Sequence, residues 1–310
     1  MKQLLFDTDG IGDDILALLA MLAMKDAVQL HAVTTYGRRI GALKRAQILR
    51  SIIDQARPNA GIPVIPGSDV PLMRVPLPGC MHCDQAIEQY CTMYPPIASP
   101  DEDAMIAAVY LVELVKQKPH YYSLVCTGPL TNIALALRLD PNFGTNLKEI
   151  VVMGGAWRVS GNSSAVAEAN FFNDPEAASI VFSSCRSITV VGLDVTLQTA
   201  LREADIEGLC DAPLAKLTKD IVRSCCTSHQ LRGEGPVMPL HDLLALFVVL
   251  EPSIVETEQG LISIETKSTR SYGAMLFDSL DQEGRHQWCV SVNQKAVDAY
   301  MRRWMVQLYG

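Results

Sequence analysis

The stretch from Leu4 to Met24, LLFDTDGIGDDILALLAMLAM, sets four carboxylates, Asp7, Asp9, Asp13 and Asp14, between two apolar segments. The first of these, Gln3 to Phe6, is short, apolar and followed at once by turn-forming residues, which predicts a buried strand. Gly10 and Gly12 let the chain turn tightly. From Asp13 onward the residues are good helix formers, and Asp13 and Asp14 fall at the N-terminal end, where the helix dipole favours negative charge. The acids therefore gather at the C-terminal end of a strand, where open α/β sheets take their ligands. Four acids this close repel one another, and some of their pKa values rise unless a cation or several hydrogen bonds relieve them. A bound hard cation is the simplest relief. Oxygen-only donors suit calcium or magnesium, and no histidine or cysteine in the stretch suggests zinc. A solvated helix cap accounts for Asp13 or Asp14 alone but leaves Asp7 and Asp9 unexplained.

The remaining chain bounds the class of protein. No linker divides the 310 residues, so we expect a single domain over residues 1–310 with a substantial core. A formal net charge of −8 argues against nucleic acid as the main partner. Ile15 to Met24 is apolar all round yet too short to span a bilayer, which predicts a buried helix and no membrane association. The N-terminus enters its first strand without a basic leader and apolar signal core, so a cytoplasmic location is expected. Nine cysteines without framework spacing favour reduced thiols. Cys80 and Cys83 form a lone C-x-x-C, read as loop thiols rather than a zinc or redox site.

Strand and helix patterns then alternate. Val28 to Thr35 reads as a strand, Ala42 to Ala56 as a helix and Ile62 to Ile65 as a third strand, an order that points to a parallel sheet. Asp69 to Tyr94 reads as a long loop. Ala104 to Lys116 is helical by pattern, Tyr122 to Cys126 is a strand, and Thr127-Gly128-Pro129 turns it into the helix Leu130 to Leu139. Glu149 to Met153 is again a strand, with Gly154-Gly155 behind it. A polar segment, Arg158 to Asn173, should lie over the sheet edge before the helix Pro175 to Phe182 and the strand Ser187 to Leu193. Beyond Thr199 the pattern is mainly helical, with weaker strand signals at Leu261 to Glu265 and Cys289 to Val292. Asp242 to Leu250 is an apolar helix preceded by His241, and Gln294 to Leu308 is an amphipathic helix.

Six blocks in this order resemble the calcium-dependent nucleoside hydrolases, the inosine-uridine preferring family that cleaves the N-glycosidic bond of ribonucleosides. They are DTDGIGDD at Asp7 to Asp14, TGPLTNIALAL at Thr127 to Leu137, VVMGGA at Val151 to Ala156, AEANFFNDPEAA at Ala167 to Ala178, GLDVT at Gly192 to Thr196, and His241-Asp242. The resemblance runs nearly end to end and implies an α/β fold with a mostly parallel central sheet flanked by helices. It implies that Asp9, Asp14, Asp242 and the backbone carbonyl of Thr127 hold one calcium ion. It also implies that Asp13, Asn162, Glu168 and Asn170 hold the ribose, that the loop carrying His82 approaches the substrate, which makes His82 a candidate contact, and that Asp7 supports the loop from behind. On the same footing, Asp9 takes the proton of a water whose pKa calcium lowers, and His241 protonates the departing base. Anionic groups near the sugar suit a reaction that builds positive charge there. The family resemblance further implies a homodimer or homotetramer.

The chain departs from the family pattern at Gly10-Ile11-Gly12, where proline and then glycine are usual, at Ala169, where an aromatic residue often stands, at Arg38 and at Cys83. His229 is a weaker candidate than His82, and Trp157 is read as packing. Two other readings compete. LFDTDG also resembles the nucleophile motif of haloacid dehalogenase-type magnesium phosphohydrolases, with Asp7 attacking phosphorus. A nucleoside-binding protein without turnover is the other.

Overall fold

A computed structural model describes residues 1–37, 40–74, 81–281 and 283–309, with the side chains of 81–85 outside that set. Six parallel strands come first: β1 (Lys2–Thr8), β2 (Val28–Thr35), β3 (Val64–Pro66), β4 (Ser123–Cys126), β5 (Glu149–Met153) and β6 (Thr189–Val191). A two-stranded antiparallel pair, β7 (Ala200–Leu201) and β8 (Met238–Pro239), stands apart. The chain then returns to the sheet with β9 (Val255–Ile264), β10 (Met275–Asp278) and β11 (His286–Val292). The nine-stranded order is β10-β9-β11-β6-β5-β4-β1-β2-β3. β11 runs parallel to β6, whereas β9 and β10 join antiparallel at the edge.

The order reverses between β1 and β4: the chain builds outward through β2 and β3, then resumes on the other side of β1. A crevice opens where the crossover helices part to opposite faces, outside the carboxyl ends of those two strands. Thr127 N–H donates to the carbonyl of Asp7 across this point at 2.9 Å. The topology thus puts the turn after β1 beside the turn after β4.

Both faces of the sheet are apolar because successive residues alternate sides. Leu4 and Phe6 point into one core and Leu5 into the other. The first core is covered by the helices Asp13–Ala23, Ala42–Ala56, Pro213–Leu231, His241–Leu250 and Gln294–Tyr309, and the second by Ala107–Gln117, Thr131–Leu139 and Pro175–Ser184. Ile15 to Leu22 are buried without interruption, as the all-round apolar pattern predicts. Asp13–Ala23 lies against His241–Leu250 and Gln294–Tyr309, so no side of it meets water.

The structure corrects several boundaries. β1 runs through Asp7 and Thr8, so the acidic loop begins at Asp9. The segment read as a loop from Asp69 to Tyr94 contains the helix Met81–Met93. Ile87, Tyr90, Cys91 and Tyr94 are a helical stripe that packs on the first core, hidden in sequence by the prolines before it. The strand expected at Leu261 to Glu265 begins at Val255, and β10 had no sequence counterpart. Arg38 and Cys80 lie outside the described residues, as do the side chains of His82 and Cys83.

Candidate active site

A cavity of about 190 Å³ opens at the switch point. Asp9, Asp13, Asp14, Thr127, Asn162, Glu168, Asn170, His241 and Asp242 all line it. Every candidate site residue whose side chain is described is therefore in one place.

The floor is acidic. Carboxylate oxygens of Asp13, Asp14 and Asp242 come within 4.8 Å of one another, and Asp9 shares a hydrogen bond with Asp14. Burial, then repulsion from the neighbouring carboxylates, raises the pKa values of Asp14 and Asp242 well above the usual range. Burial raises Asp13 to about 7. Among the described residues no cationic side chain is ion-paired to these three. A set of hard oxygens that repel one another and lack a cationic partner fits a divalent cation.

Each acid is held by its own local structure. Gly10 and Gly12 take positive φ values of 63° and 52°, which fold the loop over the helix start. Asp14 accepts from Thr127 Oγ1 at 2.6 Å and Ile11 N–H at 3.1 Å, and also from the Thr8 hydroxyl. Thr127 was expected to offer only a carbonyl; its hydroxyl fixes Asp14 as well. Arg45, buried beneath the loop, donates to the carbonyls of Gly10 at 3.1 Å and Gly37 at 2.9 Å. A Cβ at Gly128 would stand 2.8 Å from the amide nitrogen of Asp9, so only glycine lets the turn after β4 approach this closely.

The polar wall is built by the segment after β5. Glu168 caps the short helix Ala169–Asn173, accepting from Asn170 N–H at 2.8 Å and Phe171 N–H at 3.2 Å, and also holds Gly155 N–H at 3.0 Å. Asn170 Nδ2 donates to the carbonyls of Thr127 at 2.9 Å and Met153 at 3.2 Å. Asn162 Oδ1 accepts from Ala169 N–H at 2.8 Å, which leaves its Nδ2 as the donor available to the cavity. Asp194 holds the start of this segment through the N–H groups of Trp157 and Arg158. Trp157 itself packs edge-on against Phe277, away from the cavity.

His241 is oriented by Thr196, whose Oγ1 lies 2.8 Å from Nδ1. Burial first, then His229 and Arg232, push its imidazole down to about 3, so the ring is neutral at pH 7 rather than already protonated. Asp7 is fully buried and does not line the cavity. It accepts from Thr34 Oγ1 at 2.5 Å and Asn132 Nδ2 at 2.8 Å, tying β1 to β2 and to the helix after β4. A carboxylate so enclosed cannot attack phosphorus, which removes the phosphohydrolase reading.

Sequence reasoning missed Met153, Cys225, Ser228 and Arg232 and undervalued His229, all of which line the cavity. Cys225, Ser228, His229 and Arg232 follow one another at helical spacing along Pro213–Leu231 and its C-cap. That stripe was visible in sequence; that it faces the acidic floor was not.

A sheet of this order, with an acidic floor and a polar wall at its switch point, defines a metal-dependent hydrolase of the nucleoside hydrolase fold. Residues 4–300 match the family described as inosine-uridine preferring nucleoside hydrolase. Uridine nucleosidase 1 of Arabidopsis thaliana is 31% identical over 297 residues, covering 93% of this chain and 84% of its own. The pyrimidine-specific ribonucleoside hydrolase RihA of Shewanella baltica is 32% identical over 288 residues, covering 92% of this chain and 89% of its own. A solved purine-preferring ribonucleoside hydrolase from Gardnerella vaginalis superposes with a TM-score of 0.88 at 25% identity, covering 99% of each chain. The chain belongs to the inosine-uridine preferring nucleoside hydrolase family, enzymes that hydrolyse the N-glycosidic bond of ribonucleosides. Among the described residues no helix is long and apolar enough to cross a membrane.

Proposed function

We propose that this chain hydrolyses pyrimidine ribonucleosides to free base and ribose, with one calcium ion held by Asp9, Asp14, Asp242 and the carbonyl of Thr127. The observation that carries this reading is the convergence of buried, mutually repelling carboxylates and a hydrogen-bonding wall at one switch point. When bound, calcium supplies a Lewis acid that acidifies water and takes vicinal hydroxyls as ligands. Asp13 accepts hydrogen bonds from the ribose diol, and Asn162, Glu168 and Asn170 hold the sugar against the floor. Asp9 takes the proton of the attacking water. The carboxylates stabilise the positive charge that grows on the sugar as the C–N bond breaks, because they are fixed before the charge develops.

His241 acts on the leaving base. The protonated imidazole expected from the sequence gives way to a neutral ring, which donates a hydrogen bond from one nitrogen while Thr196 holds the other. Between pH 6 and 8 kcat is therefore expected not to fall along a histidine ionisation near the ordinary value. A pH profile of kcat on uridine checks this, and a single loss of activity centred near pH 6.5 would restore the protonated acid.

The preference for pyrimidines rests on the cavity's wall. Among the described residues no phenylalanine, tyrosine or tryptophan lines it, and Ala169 stands where the family often has an aromatic. A wall without a stacking surface favours hydrogen-bonding recognition of a small ring. Two relatives carry uridine or pyrimidine in their names. We expect kcat/KM for uridine to exceed that for inosine by about tenfold or more. Ribose release from both nucleosides decides it, and faster cleavage of inosine would reverse the assignment. The chain is further proposed to act as a cytoplasmic homodimer or homotetramer, which light scattering of the purified protein tests for assembly.

A further inference from the structure

Glu234 follows the helix Pro213–Leu231 and folds back onto its last turn. Gly233, at φ 79°, ends the helix in the left-handed region. One such glycine is enough for that purpose. Gly235, at φ 90°, adds a second left-handed residue directly after Glu234, and a Cβ at either glycine would meet nothing within 4 Å. Backbone conformation rather than space therefore calls for glycine on both sides, and its result is to aim the acid backwards.

The carboxylate then grips two side chains at once. His229 Nδ1 lies 2.7 Å from Glu234 Oε2, and Arg232 donates to the same oxygen through Nε at 3.1 Å and Nη2 at 3.0 Å. Glu234 N–H donates to the carbonyl of His229 at 3.0 Å, and Arg232 Nη1 donates to Ser228 Oγ at 3.1 Å. His229, Arg232 and Ser228 line the cavity; Glu234 does not. Its side chain is 45% exposed, where ion pairs contribute little to stability. What the arrangement does is restrict an arginine and a histidine that would otherwise sample many rotamers in a binding wall, and such ordering in advance lowers the entropy lost when a ligand docks.

We infer that Glu234 is a positioning residue for nucleoside binding, setting the orientations of His229 and Arg232 in the cavity wall without touching substrate. The inference rests on the reading of this cavity as the nucleoside site. It separates ground-state binding from the chemistry at the acidic floor, so its signature is in KM.

Glu234→Gln keeps the size of the side chain and removes its charge. Steady-state kinetics on uridine are expected to show KM raised by about tenfold and kcat changed by less than about threefold, the pattern of lost uniform binding. Glu234→Asp, which keeps the charge on a shorter arm, is expected to fall between the two. Calcium affinity by titration calorimetry and the melting temperature of Glu234→Gln should match the parent protein. In a His229→Asn, Arg232→Met background, Glu234→Gln should shift KM by less than about twofold, because the groups it positions are gone. A KM within about twofold of the parent, or a parallel loss of calcium affinity, would overturn the inference. Absence of any ribose release by the parent protein would instead remove the cavity reading, and the inference with it.

Discussion

Asp9→Asn is expected to lower kcat for uridine by about a thousandfold or more while the fold survives, the scale on which a positioned general base contributes. Asp9 is 4% exposed, sits just past the end of β1, and lines the cavity beside Asp14. Asparagine has nearly the same shape, and the loop around it is held by groups other than the carboxylate: Gly10 N–H on Thr8 Oγ1, Ile11 N–H on Asp14, and Arg45 on the Gly10 carbonyl. The backbone therefore has its supports without the charge. Because Asp9 is also proposed as a metal ligand, kcat must be measured across a calcium titration. A deficit that persists at saturating calcium assigns the lost group to proton transfer; full recovery at high calcium limits Asp9 to metal binding, and an undiminished rate removes it from both roles.

Chelation should abolish ribose release and lower the melting temperature, and the second effect should grow with pH. The folded-state pKa values of Asp13, Asp14 and Asp242 are raised, chiefly by burial. A carboxyl raised in the fold holds its proton where the unfolded chain has already lost it, so stability falls as pH rises from the unfolded value near 4 towards the folded one, about 7 for Asp13. The metal-free protein is thus expected to melt lower at pH 8 than at pH 5. A cation that binds only the folded, deprotonated acids reverses this, and at a hundred times its Kd it adds about 2.7 kcal/mol. The stabilisation by calcium should accordingly widen between pH 5 and 8. Thermal melts with calcium, with magnesium and with chelator at both pH values make the test. Equal melting throughout would mean that no cation is bound by these acids, and a larger response to magnesium would replace calcium as the occupant.

The acidic loop, the parallel sheet and most of the cavity-lining residues were legible because each depends on short-range pattern. An apolar run, two glycines and paired acids before an apolar helix leave few local structures open, and the six blocks placed Thr127, Glu168, Asn170 and Asp242 before their distances were known. The later sheet was less legible: β9 and β10 are half-exposed antiparallel strands at one end of the sheet, and their exposed polar positions break the apolar run by which the buried parallel strands are recognised. The helix Met81–Met93 was obscured for a different reason: the prolines before it read as loop, and the helix Pro213–Leu231 that covers its apolar stripe is distant in sequence.

By itself, then, the sequence determined the class of fold, the oxygen-only character of the floor and the identity of most residues upon it. Only the tertiary structure decided that Asp7 is walled in rather than reactive, that the His241 ring is neutral, and that Glu168 spends its carboxylate partly on backbone N–H groups. It alone brought Cys225, Ser228, His229 and Arg232 over the acids. The physical reason is that side-chain type and period are local, whereas burial, ionisation and the face a helix turns to its neighbours are set by everything packed around them.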